Sequence, residues 1–193
     1  MDRERIVTKH IEESAGLKKG LQAQVKTLIE IADRITRAFR NGNKVLLFGN
    51  GGSAADAQHI AGELAGKFYQ DRKPLPALAL TVNTSSLTAI ANDYGFENVF
   101  ARQLQGLIKE GDIAIGISTS GASPNVMRGI EAAGQQGATT IAFTGAGGAL
   151  KDMADYVLSV PSDDVPRIQE AHITAGHIIC YLVEQALFGG EKV

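Results

Sequence analysis

The sequence predicts an α/β fold: a doubly wound, five-stranded parallel sheet of the flavodoxin-like type, sandwiched by helices, with an extra long helix ahead of the first strand. Three observations carry that expectation. Five short apolar runs mostly lack polar alternation, as strands covered on both faces should. Segments of helical periodicity separate them, which is the pattern of βαβ units. Two of the strands run straight into turns rich in glycine and hydroxyl residues, and ligands of such sheets bind beyond the carboxyl ends of the strands.

The first element is an amphipathic helix over 17–39, because Leu21, Val25, Leu28, Ile31, Ile35 and Phe39 recur every three or four residues. Asn41-Gly42-Asn43 stops it. A minimal βαβ count has no place for this helix, so its apolar face is expected to pack against another subunit or to cap the sheet. Lys44 to Phe48 is the first strand and Ser53 to Gly66 the helix after it. Ala77 to Thr81 is the second strand and the weakest, since alanine disfavours strands. A helix over Asn98 to Ile108, a strand over Ile113 to Ile117, a helix over Pro124 to Gln136 and strands over Thr140 to Thr144 and Tyr156 to Val160 complete the alternation. The last helix spans 166–188 and carries Ile168, Ala171, Ile178, Leu182 and Ala186 on its apolar side. No repeat and no low-complexity linker divides the chain, so 1–193 is expected to be one domain, with a helical region at 1–40 and the sandwich at 41–193.

Composition excludes several classes of function. Nineteen Lys and Arg against 21 Asp and Glu leave a net charge of -2, so no global positive field recruits nucleic acid or anionic lipid. Cys180 is alone and cannot form an internal disulfide, which suits a reducing compartment. The start, Met1-Asp2-Arg3-Glu4-Arg5, is charged and unlike a secretory signal, and no apolar run is long enough to span a bilayer. A cytoplasmic protein is expected.

The chemistry concentrates in two loops and two helices. Gly49-Asn50-Gly51-Gly52-Ser53 joins an apolar strand to a helix start, leaving backbone N–H groups free to cradle an anion. The helix that follows carries Asp56, Gln58, His59 and Glu63. The i,i+4 spacing of His59 and Glu63 puts an imidazole and a carboxylate on one face, expected about one turn beyond the loop. Gly116-Ile117-Ser118-Thr119-Ser120-Gly121-Ala122-Ser123-Pro124 forms a second candidate cradle, in which four hydroxyls meet a helix N-terminus. Helix capping by Ser123 ahead of Pro124 would account for one of those serines only. Gly145-Ala146-Gly147-Gly148 reads as a turn. Neither loop contains the Lys of a P-loop or completes a dinucleotide fingerprint, which disfavours ATP and NAD.

Two histidines and a glutamine, His172, His177 and Gln169, interrupt the otherwise apolar final helix, where buried polar groups without partners would be costly. His and carboxylate are natural zinc ligands and Gln an uncommon one. Gln169 and His177 stand eight residues apart, about 12 Å along a helix. Converging on one ion therefore takes the long Gln side chain or contributions from two subunits. Asn92-Asp93-Tyr94-Gly95 reads as a turn after a helical segment, with Asn92 and Asp93 candidates to orient sugar hydroxyls.

Gly49-Asn50-Gly51-Gly52-Ser53, Asn92-Asp93, Ser118-Thr119-Ser120-Gly121 and Arg167-Ile168-Gln169-Glu170-x-His172 together resemble the sugar isomerase (SIS) domain family, and within it the phosphoheptose isomerases. The resemblance covers nearly the whole chain. It implies conversion of D-sedoheptulose 7-phosphate to D-glycero-D-manno-heptose 7-phosphate, at the start of bacterial heptose synthesis for lipopolysaccharide or related glycans. It implies one zinc ion per subunit at His59, Glu63, Gln169 and His177. Substrate contacts are implied for Asn50, Gly51, Gly52, Ser53, Glu63, Asn92, Asp93, Ser118, Thr119, Ser120, Ser123 and Gln169, in a homotetramer with active sites at subunit boundaries.

A related class with this fold serves instead as a non-catalytic adaptor of the replication initiator protein, and there the positions matching Glu63 and His177 are typically not acid–base residues. Both are acid–base residues here, which favours the enzyme. Pro166 stands where some isomerases carry Asp, so no auxiliary polar role is expected there. Moving a carbonyl from C2 to C1 takes one positioned base and one acid, for which Glu63 and His177 are the candidates. A carboxylate bound tightly to zinc is a weaker base, so the two roles of Glu63 compete.

Overall fold

The apolar runs alternate between two cores, and this explains why they show no polar alternation. Val45 and Leu47 face one side of the sheet while Leu46 and Phe48 face the other. Ile113, Ile115 and Ile117 oppose Ala114 in the same way, and Ile141 and Phe143 oppose Ala142. The computed structural model describes residues 1–189. Its elements are α1 (Arg3–Gly20), a 3₁₀ turn (Leu21–Gln24), α2 (Val25–Arg40), β1 (Val45–Gly49), α3 (Gly52–Ala65), β2 (Ala77–Ala79), α4 (Thr84–Tyr94), α5 (Val99–Leu107), β3 (Ile113–Ser118), α6 (Pro124–Gln135), β4 (Thr139–Thr144), β5 (Tyr156–Ser159) and α7 (Val165–Phe188).

All five strands are parallel, in the order β2-β1-β3-β4-β5. Helices α2, α3 and α7 cover one face, and α5 and α6 the other. The order reverses between β1 and β3, paired from Val45↔Ile113 to Gly49↔Ile117, so the crevice beyond the carboxyl ends of these two strands is the switch point where ligands bind in such sheets. Both loops singled out in the sequence begin there. No helix among the described residues is long and apolar enough to cross a membrane.

The long N-terminal helical region is present, but its details differ from the periodicity. Instead of one helix over 17–39 there are two, broken at the 3₁₀ turn, and α1 begins at Arg3. It lacks an apolar stripe and buries none of its residues, so periodicity gave no signal for it. What specifies it is local: the Asp2 carboxylate caps it by accepting from the Arg5 N–H at 3.1 Å, and Lys18 and Lys19 stand in its last turn. Helix α2 takes the capping role expected of the whole segment, burying Leu28, Ile31, Ala32 and Ile35 on the sheet.

β2 is an edge strand of only three residues, consistent with its alanine content. Asn92 and Asp93 do not lie in a turn after a helix. They form the last turn of α4, which stops at Gly95 with φ +86°.

Candidate active site

At the end of β1 the backbone turns through Gly51, at φ +55°, a conformation that L side chains rarely adopt. The next residue is crowded: a Cβ on Gly52 would collide with the Gln169 amide from the first turns of α7. Gly52→Ala should therefore leave the fold intact and displace the Gln169 side chain, an outcome to be read as an unchanged melting temperature with a shifted Gln169 side-chain amide resonance.

Asn50 is fixed from across the switch point. Its amide and that of Asn125 exchange two hydrogen bonds of 2.8 Å, so the β1 loop is tied to the first turn of α6. Asn125 is 2% exposed and was not singled out in the sequence; an Asn beside the helix-opening Pro124 was the available signal.

The second loop gathers its hydroxyls. Ser118 Oγ lies 2.9 Å from Ser123 Oγ and 3.4 Å from Ser120 Oγ, and the Ala122 N–H donates to Ser120 Oγ at 3.2 Å. Ser123 occupies the N-cap position of α6, but its side chain makes no capping bond and turns to Ser118 instead. The capping explanation of that serine therefore fails. Gly145–Gly148 is the expected turn, and it backs this loop: the Gly145 N–H donates to the Thr119 carbonyl at 3.0 Å, and the Leu150 N–H to that of Gly121 at 2.9 Å.

On the seam between α3 and α7, His59 Nε2 lies 2.9 Å from His177 Nε2 and 3.2 Å from Glu63 Oε1. One ligand atom from each of the three residues falls within a common 4.8 Å, so the group can hold a metal ion. Donors on a tetrahedral zinc at about 2.0–2.1 Å are separated by roughly 3.3 Å, so these spacings and this donor set fit that ion. Two Nε2 atoms facing each other also need a proton or a cation between them.

One expectation is corrected in position. His59 and Glu63 stand about two and three turns into α3, not one, because the helix starts at Gly52 inside the loop itself. Gln169 rests its amide on Gly52, at the start of α3 and about 10 Å along that helix from His59. Asn92 and Asp93 are exposed and hydrogen-bonded to each other at 2.8 Å, with no hydrogen bond to either loop among the described residues.

Two neighbouring groups have displaced pKa values. Burial raises the Asp56 carboxyl to about 6, with His59 opposing, and its Oδ2 has no protein partner. Burial lowers His172 to about 4, although a hydrogen bond between its Nε2 and the Thr144 carbonyl, 3.1 Å away, opposes the shift. His172 is 0% exposed and packs on Phe143, so it is a neutral core histidine that fastens α7 to the end of β4.

The sequence reading missed the wall beside His177. An open cavity of about 660 Å³ is lined by Phe68, Tyr69, His177, Ile178, Tyr181 and Gln185. The Phe68 ring lies 5.7 Å from that of His177, centroid to centroid. The stretch that supplies Phe68 and Tyr69 carries no motif.

A family model described as the SIS domain matches residues 10–145. The chain is 55% identical to the phosphoheptose isomerase of Aquifex aeolicus over 93% of its own length and 95% of that protein's. It is 50% identical to that of Aneurinibacillus thermoaerophilus, over 97% and 96%. The solved structure of the phosphoheptose isomerase of Neisseria gonorrhoeae superposes with a TM-score of 0.89 at 40% identity, over 94% of this chain and 98% of that one. For the Francisella tularensis protein the values are 0.91 and 37%, over 96% and 100%. The chain belongs to the phosphoheptose isomerase family of SIS-domain proteins.

Proposed function

We propose that this chain isomerises D-sedoheptulose 7-phosphate to D-glycero-D-manno-heptose 7-phosphate through an enediol, as the first step of bacterial ADP- or GDP-heptose synthesis. The observation that carries the reading is the meeting of His59, Glu63 and His177 on one seam, in a fold whose hydroxyl-lined loops open at the same sheet's switch point. The relatives' name, phosphoheptose isomerase, supports a phosphorylated heptose as the substrate class.

The phosphate takes the backbone N–H groups of Gly51 and Gly52 and the hydroxyls of Ser53, Ser118, Thr119, Ser120 and Ser123, with Asn50 held in place by Asn125; the Ser53 N–H itself donates to the Asn50 carbonyl at 3.0 Å. Gln169, Asn92 and Asp93 serve the sugar hydroxyls. Glu63 removes the C1 proton while His177 protonates O2, giving the enediol. Loss of the O1 proton and protonation at C2 complete the aldose. Oε1 of Glu63 faces His59, so Oε2 is the oxygen left for the C1 proton. Zinc, held by His59, Glu63 and His177, supplies Lewis-acid polarisation of the carbonyl oxygen when bound.

The same reading makes the chain one cytoplasmic domain and a homotetramer with active sites at subunit boundaries, where Gln169 of one copy can complete the ligand set of another. Its support is the apolar surface outside the sheet's needs: Ile6, Val7 and Ile11 on α1, and Val25 and Ile29 on α2, are exposed. Light scattering should report a tetramer at micromolar concentration, and a monomer there would exclude shared sites.

The function itself is tested by a coupled isomerase assay together with thermal shift. D-sedoheptulose 7-phosphate should turn over and should stabilise the protein by mass action, whereas ATP and NAD should not. No turnover, together with tight binding of the replication initiator protein, would support the adaptor reading instead.

A further inference from the structure

One ion pair holds the chain segment that follows α3. The side chains of Arg72 and Glu184 are 2% and 1% exposed, with Nε 3.2 Å from Oε1. The Glu184 carboxylate also accepts three successive backbone N–H groups, from Phe68 at 3.3 Å, Tyr69 at 2.9 Å and Gln70 at 3.2 Å. Arg72 directs its remaining donors to carbonyl oxygens: Nη2 to Glu63 at 2.9 Å, and Nη1 to Leu64 at 2.8 Å and Gly66 at 2.9 Å. Carbonyls at the end of a helix lack partners within it and face the negative end of its dipole, so a guanidinium there satisfies both.

We propose that Glu184 and Arg72 are positioning residues for the acid–base pair, an inference that rests on the assignment of Glu63 and His177 above. Two routes connect them to it. Arg72 grips the backbone of Glu63 itself, from which the base projects. Glu184 lies two turns beyond His177 on α7, and through the Phe68 N–H it fixes the ring that packs against the His177 imidazole. The pair thus cross-links the helix bearing the base to the helix bearing the acid. A buried ion pair often stabilises a fold no better than apolar residues of the same volume, which leaves geometric definition as its role in this proposal.

Glu184→Gln and Arg72→Lys test the proposal, assayed well below each variant's melting temperature with folding checked by circular dichroism. A misplacement near 1 Å costs up to about 10²-fold, so kcat should fall roughly 10- to 100-fold in both. KM for D-sedoheptulose 7-phosphate should stay near the wild-type value, because neither residue touches the phosphate loops. Zinc affinity, titrated against a chromophoric chelator, should weaken in parallel.

Arg72→Lys keeps the charge facing Glu184 but loses the fork over the α3 carbonyls, so it decides the question even where Glu184→Gln does not fold. Wild-type kcat and zinc affinity in a folded variant, with only a lowered melting temperature, would reduce the pair to a structural staple. Glu63→Gln separates the two levels. Turnover surviving in that variant removes the catalytic assignment, whereas its loss alongside an undiminished Arg72→Lys removes only the positioning role.

Discussion

Glu63→Gln should abolish most turnover while leaving phosphosugar binding intact, because it preserves the shape of the side chain and removes its basicity. A positioned general base contributes about 10²–10⁴-fold, and kcat should fall by that factor. His177→Gln should do likewise from the other end of the proton transfer. The double variant should be scarcely worse than either single one, since residues that act as a unit are not additive. The close approach of both side chains to His59, at 3.2 Å and 2.9 Å, is the structural ground for treating them as one unit.

Solvent deuterium tests the route independently. An enediol exchanges the carbon-bound hydrogen, so product formed in D₂O should carry deuterium at C2, and a strict hydride shift would leave it unlabelled. Near-normal turnover in Glu63→Gln would remove that residue from the base role. Metal analysis of the same variant distinguishes loss of the base from loss of zinc.

Acid should destabilise the protein through His172. Its folded pKa of about 4 lies below the ordinary 6.5, so between those values the unfolded chain binds a proton that the folded protein refuses. The stabilisation is complete above pH 6.5 and is lost as pH falls to 4. It amounts to about 3–4 kcal/mol at most, since each tenfold change in proton affinity is worth about 1.4 kcal/mol. Asp56 acts in the opposite sense. With its folded pKa raised to about 6 it takes up a proton more readily than the unfolded chain does, which stabilises the fold as pH falls through that value.

The two contributions separate in a variant. His172→Gln retains an N–H for the Thr144 carbonyl and removes only the titration, so the difference in melting temperature between wild type and variant, followed from pH 7 to 4, isolates the histidine. The wild type should lose stability more steeply than the variant. Parallel curves would show that His172 does not remain neutral in the fold.

What could be read from the sequence was what neighbouring residues decide. The strand–glycine–helix turn at 45–53 and the hydroxyl loop at 116–124 each lie within ten residues, and the strands announced themselves because burial on both faces demands unbroken apolar runs. The i,i+4 pair of His59 and Glu63 is likewise a property of one helix.

The tertiary structure alone decided which distant groups meet. His59 and His177 are 118 residues apart, Asn50 and Asn125 are 75 apart, and Arg72 and Glu184 are 112 apart. Periodicity can state which face of an element is apolar, but not which element will cover it. It could not foresee that α3 and α7 would lie side by side, nor that Gln169 would rest on Gly52 at the start of α3. The start of helix α1 within the helical region at 1–40 was not marked by periodicity for the complementary reason: with none of its residues buried in this chain, it carries no stripe to find.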